Sequence, residues 1–240
     1  MADLARARPI FALFADLLDY PRSVPVDAAR ECARLVTSVD TEAGEHLDQF
    51  ASFLTGATTG SLQEVFTETF DLEATWHPYV GYHLFGETYE RSVFLVALKE
   101  RYEQHGFEVE TELPDHLPVV LRFLSRCDDD ALVDEVVLEG LLPMLVKMSV
   151  VRKADDDGDG EEGAALEDSG DPQDDQGSIK LPGMPAQPAK PKKEDEASRP
   201  YRLVLRALTT VVWDFYPQGP QLEPGESTMP EEVPVSFRTD

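Results

Sequence analysis

Four of the five histidines in this chain, at positions 77, 83, 105 and 116, fall between Thr69 and Leu124. The same stretch holds Trp76 and the runs Pro78-Tyr79-Val80-Gly81-Tyr82-His83-Leu84-Phe85-Gly86-Glu87, Tyr89-Glu90-Arg91 and Glu112-Leu113-Pro114-Asp115-His116-Leu117-Pro118. Imidazoles beside carboxylates are the residue types of metal sites and of acid–base chemistry. His77 and His83, with Asp71 and Glu87 near in sequence and His116 available in space, make a His/carboxylate metal site one alternative. Against it, a spacing of six does not place two ligands on one helix face. Neither Glu-x-x-His nor His-Glu-x-x-His occurs.

Other chemistry has weaker support. Asp155, Asp157, Asp159 and Gly160 resemble the start of a calcium loop, but its twelfth position is Leu166 where a bidentate Glu is needed. No Gly-x-Ser-x-Gly elbow and no phosphate-binding glycine loop is present, and neither cysteine has a histidine partner by spacing. The expectation is a protein with no catalytic residues, no resident metal and no cofactor. What remains is binding. Pro78 and Gly81 should keep the aromatic run out of a regular helix, the usual way to build a groove wall. The two prolines around Asp115-His116 should stiffen a joint that presents side chains in fixed directions, with Asp115 doubling as an N-cap.

The elements that must position these residues read as helices. Pro9 suits the first turn of a helix bearing Ile10, Leu13, Phe14 and Leu17. Pro25 opens a second with Val26, Ala29, Ala33 and Val36, and Thr41 to Leu54 forms a third. Ser61 and Glu64 form a capping-box pattern before Leu62, Val65, Phe66 and Phe70. From Glu87 to His105 the apolar arc is broad, which predicts burial on more than one side. Asp115 precedes a helix through Leu124, and Ala131 to Val151 should be helical with a kink at Gly140 and Pro143.

The composition then changes. Residues 155–198 contain fourteen acids, four lysines, six glycines, five prolines and no aromatic residue. Such a segment buries too little apolar surface to offset chain ordering, so it reads as a disordered acidic linker. Tyr201, Val204, Leu208, Val211, Val212 and Phe215 restore a helical period. The expected architecture is all-α: a single compact bundle over 1–154, the linker at 155–198, a last helix at 199–216 docking on the core, and a flexible tail at 217–240.

Net charge is -26, a field that opposes nucleic acid and anionic membranes and attracts a basic peptide. Cys32 and Cys127 alone, with no membrane-length apolar run and no signal sequence, read as a soluble cytoplasmic protein.

His83-Leu84-Phe85-Gly86-Glu87 with Glu90-Arg91, and Glu112-Leu113-Pro114-Asp115-His116-Leu117-Pro118 with Leu121-Arg122-Phe123-Leu124, resemble the TorD/DmsD/NarJ superfamily of molybdoenzyme assembly chaperones, and most of all its NarJ-type nitrate reductase branch. The resemblance extends loosely from Ile10 to Met148. Ser92, where such proteins often have Gly, and the acidic linker with its extra helix depart from it. It implies a cytoplasmic chaperone, monomeric or homodimeric. Its partner would be the N-terminal segment of an apo molybdoenzyme catalytic subunit, most often respiratory nitrate reductase, held for insertion of the molybdenum cofactor and complex assembly. A related reductase or dehydrogenase is the alternative client. On this reading Tyr79, Tyr82, Leu84, Phe85 and Tyr89 form the apolar client wall, Glu87, Glu112, Asp115 and His116 orient the client, and His83 belongs to the same client-binding set. Arg91, Pro114 and Pro118 form the structural joint.

Overall fold

The computed structural model describes residues 2–72, 76–109, 111–148 and 199–219. The expected linker at 155–198 and most of the tail lie outside them. The described residues form an all-α bundle. Its elements are α1 (Leu4–Leu17), α2 (Val26–Thr37), α3 (Thr41–Gly56), α4 (Thr59–Phe70), α5 (Val80–Phe85), α6 (Tyr89–Gln104), α7 (Leu117–Arg126) and α8 (Asp130–Val136). A π-helical turn, Val137–Leu141, joins α8 to α9 (142–148), and α10 is Arg199–Phe215.

Helix α1 begins five residues before Pro9, because Leu4 and Ala7 continue the buried face of Ile10, Phe11 and Phe14, and Asp3 caps the Arg6 N–H. Pro9 therefore sits inside the helix rather than in its first turn. It is exposed, where the missing N–H is tolerated best. The box at the start of α4 is formed by Thr58 and Ser61 rather than Ser61 and Glu64. The helix starts three residues earlier than the Glu64 pattern requires.

Helices α2 and α3 pack as a hairpin, α1 lies on both α2 and α7, and α10 packs along α3 and reaches α1. Tyr201 of α10 enters an aromatic cluster with Phe50, Phe66 and Phe70, at ring centroid distances of 5.3–5.4 Å. At its other end the Tyr216 hydroxyl donates to Asp134 at 2.8 Å, which fixes α10 to α8. Arg8 ties α1 to the α7–α8 junction through the Cys127 carbonyl and Asp130.

Two expectations need correction. Helix α6 is buried on one face only, through Phe94, Ala97, Leu98 and Tyr102, while Tyr89 is 78% and Val96 53% exposed. The kink at Gly140 takes the form of the π turn, in which one extra residue per turn lets Gly140 come against Val80 of α5.

Candidate functional site

The site is assembled where the Pro78–Phe85 run meets the Pro114–Pro118 joint. Val80 N–H donates to the Asp115 carbonyl at 2.8 Å and Leu117 N–H to the Pro78 carbonyl at 2.7 Å, so Tyr79 and His116 face each other across a single antiparallel bridge. The Tyr102 hydroxyl donates to the Pro114 carbonyl at 2.9 Å, anchoring the joint to α6. Two stretches more than thirty residues apart thus become one backbone unit.

Asp115 is its centre. Its side chain does not cap α7, whose N-cap is His116 without a side-chain bond. Instead Oδ2 accepts from the Gly81 N–H and from Arg91 Nε, both at 3.1 Å, so it serves the first turn of α5. A Cβ on Gly81 would stand 2.8 Å from that oxygen and 3.0 Å from Phe94, so glycine is what lets the carboxylate reach the backbone. Gly81 therefore lies inside a regular, if short, helix rather than breaking one. Burial raises the Asp115 pKa and Arg91 draws it back. The second carboxylate oxygen, Oδ1, and His116 Nδ1 are buried without a hydrogen-bond partner.

The Arg91 guanidinium lies 5.6 Å from the Tyr79 ring centroid and 5.8 Å from that of Tyr82. Asp115 pairs with it while it lies over both phenol rings. The Tyr79 pKa is raised first by partial burial and then by the negative charges of Glu112, Asp115 and Asp71, with Arg91 opposing them.

The residues expected to bind the client separate into two sets. Tyr79, Tyr82 and His83 are half-buried, and Tyr89, Glu87 and Glu112 are exposed. Leu84, Phe85, Asp115 and His116 are buried, with Phe85 packed on Phe94 and the His116 ring 5.2 Å from that of Tyr79. The first set reaches the surface, and the second packs beneath it.

His77, His83 and His105 each bond a backbone carbonyl. His77 Nδ1 bonds the Phe70 carbonyl at 3.0 Å and His83 Nε2 bonds the His77 carbonyl at 2.7 Å. A carbonyl only accepts, so each of these nitrogens carries the proton. Among the described residues no group of three or more His, Cys, Asp or Glu could hold a metal ion. Burial lowers the pKa of both His83 and His116.

Two further residues escaped sequence reasoning. Lys147 donates to the His83 carbonyl at 3.0 Å and to that of Leu84 at 3.4 Å, meeting the negative end of α5 with a cation. The Arg202 guanidinium lies 5.2 Å from the Trp76 ring centroid, bringing the start of α10 beside the site. Lys147 had a signal: it is the lone charge in the run from Leu141 to Met148.

Residues 37–140 match the family described as nitrate reductase delta subunit, and both motif stretches lie within that match. The probable nitrate reductase molybdenum cofactor assembly chaperone NarJ of Bacillus subtilis is 42% identical over 72 residues, 30% of this chain and 39% of that protein. The nitrate reductase molybdenum cofactor assembly chaperone NarJ of Escherichia coli K12 is 28% identical over 137 residues, 55% of this chain and 57% of that protein. The nitrate reductase-like protein NarX of Mycobacterium tuberculosis is 31% identical over 116 residues, 48% of this chain and 17% of that protein. The matches span about half or less of each relative's length. The resemblance carried by the 83–91 and 112–124 motifs is thus to NarJ-type assembly chaperones. Among the described residues, no helix is long and apolar enough to cross a membrane.

Proposed function

We propose that this chain is a cytoplasmic assembly chaperone which binds the N-terminal segment of an apo molybdoenzyme catalytic subunit, respiratory nitrate reductase in the first instance, and keeps it competent for molybdenum cofactor insertion. The observation that carries the reading is the face around Tyr79 and Tyr82: aromatic rings on a unit bridged from two stretches, with the negative charges of Glu112 and Asp71 acting on Tyr79. Rings of this kind supply apolar anchors to an amphipathic peptide, and the carboxylates select one bearing Lys or Arg. The chaperone itself does no bond chemistry, and the cofactor belongs to the client. The matched relatives named as NarJ support the same assignment.

The test is calorimetric titration of the full chain with a synthetic peptide of the N-terminal segment of the nitrate reductase catalytic subunit. Tyr82→Ala and Glu112→Ala should each weaken binding, Tyr82→Ala by about tenfold or more as a central aromatic anchor. Unchanged affinity in both variants, with helicity retained, would move the client surface elsewhere.

A further inference from the structure

Arg91 places a positive charge on the tyrosine face, where Glu112 and Asp71 supply negative ones. Its bond to Asp115 uses Nε alone, at 3.1 Å. Among the described residues nothing pairs with Nη1 or Nη2, and neither nitrogen is buried, although the side chain is only 16% exposed. The hydroxyls of Tyr79 and Tyr82 are likewise unpaired and not buried. In a chain with 47 acids against 21 Lys and Arg, an arginine whose outer end meets no carboxylate of its own protein stands out.

A guanidinium carries five N–H donors in one rigid plane and meets a carboxylate best through two parallel bonds. Asp115 occupies Nε, so the pair left for a second carboxylate is Nη1 with Nη2, approached end-on. That pair is held in place. Asp115 fixes one edge of the plane from a fully buried position, and the Tyr79 and Tyr82 ring centroids lie 5.6 and 5.8 Å away. A side chain fixed in this way has little rotamer freedom left to lose on binding. Elsewhere in the fold one guanidinium already serves two carboxylates: Arg122 Nη2 lies 2.5 Å from Asp19 and 3.7 Å from Asp16.

We infer that Arg91 is a specificity-determining residue of this face, whose Nη1 and Nη2 take one carboxylate of the bound segment end-on beside Tyr79 and Tyr82. The inference rests on the reading of that face as a peptide-binding surface, and adds a group that the peptide must carry. A peptide that is acidic throughout is repelled by the net charge of -26 and by Glu112, Asp115 and Asp71 at the face itself. A peptide that is basic throughout sets a cation against Arg91. The occupant that satisfies both is a segment with one Asp or Glu between Lys or Arg residues, its acid on Arg91 and its cations toward Glu112 and Asp71. On a helical peptide, residues three or four apart share a face, so the flanking cations belong about one turn to either side of the acid.

Two synthetic amphipathic peptides test this, each with Lys one turn before and after a central residue that is Glu in one and Gln in the other. In calorimetric titration of the full chain, overall charge favours the Gln peptide, which is the more positive. The Arg91 site reverses that order and favours the Glu peptide by about fivefold or more, the scale of a hydrogen bond between charged groups. The Arg91 Nε–H resonance should shift with the Glu peptide and much less with the Gln peptide. Arg91→Lys keeps a cation near Asp115 without the planar fork, and should bring the ratio of the two affinities to about one or below. A role confined to holding the fold would lower both affinities and keep their ratio. Should that variant lose helicity, Tyr82→Leu leaves the Asp115 pair intact, removes a ring from the guanidinium and should shrink the same ratio. Equal affinities, a tighter Gln peptide, or a preference that persists in Arg91→Lys overturns the inference. If the Glu peptide is preferred but the catalytic-subunit peptide does not bind, the client reading fails and the Arg91 site stands. If the catalytic-subunit peptide binds as tightly after each of its acids is changed to the amide, the client reading stands and the Arg91 site fails.

Discussion

Asp115 joins three parts of the site through one carboxylate oxygen, and its side chain has no exposed surface. Replacing it by Ala leaves the Arg91 charge and the Gly81 N–H without their partner, and breaking a buried pair this way costs about 3–5 kcal/mol. Urea unfolding of Asp115→Ala should show that loss; a loss below about 1 kcal/mol would mean that water replaces the carboxylate. Client binding should fall with it, because the residue acts through what it holds. Gly86 offers a second test. Its φ of 67° and ψ of -156° lie in a region essentially reserved for glycine, and the turn sets the start of α6. Gly86→Ala should cost about 1–3 kcal/mol by the same unfolding measurement although no neighbouring atom stands in the way of a Cβ. The two lowered histidines give a pH dependence. Burial is the largest cause in each; the charges of His77 and Lys147 also act on His83, and those of Glu112, Asp19, Asp115 and Arg122 on His116. In both the folded protein binds a proton less readily than the unfolded chain. Their contribution is fully present above about pH 6.5 and is lost as pH falls through the lowered folded-state values. Unfolding free energy should rise from pH 5.5 to 7, and His83→Gln or His116→Gln should flatten the rise. A dependence unchanged in both variants would assign it to other groups.

At the scale of elements, the helical period exposed most of the fold. The apolar positions of α10, from Tyr201 to Phe215, are the face buried on the bundle, because burial there is one-sided and leaves a periodic trace. Tyr89 and Val96 show where that logic stops: they share the apolar period of α6 and remain exposed, since period alone does not say whether a partner covers the face. The candidate site was legible as a concentration of residue types, and Arg91 was legible as part of its structural joint. Its division into touching and supporting residues was not, because the Tyr79–His116 bridge joins stretches whose pairing has no local signature. Nor could the sequence assign Asp115 to α5 rather than α7. A carboxylate beside a helix start satisfies either, and only the close approach of Gly81 decides between them. Lys147 belongs to this scale as well. Lys147→Met should keep the apolar stem and remove the cation from the end of α5, at a cost of about 1–3 kcal/mol for hydrogen bonds from a charged group. Amide exchange should quicken in α5 more than in α2 and α3; equal protection everywhere would show that the cation does not hold this helix.

For the whole molecule, charge is the governing quantity. Of the net -26, residues 155–198 carry -10, from four lysines and fourteen acids, which leaves -16 on the remainder. Like charges at that density repel in the compact state, and salt shortens their reach from about 10 Å at 0.1 M to about 3 Å at 1 M. Stability should therefore rise with sodium chloride over this range. The attraction of a basic client to Asp71 and Glu112 is screened by the same ions, so its affinity should fall. The two responses have opposite signs, which separates them from any general effect of salt on folding. Thermal unfolding and peptide titration at matched salt concentrations measure both. Stability that did not rise would show that self-repulsion is not what limits this acidic fold. Affinity that did not fall would show that the client is held by its apolar contacts with Tyr79 and Tyr82 rather than by charge.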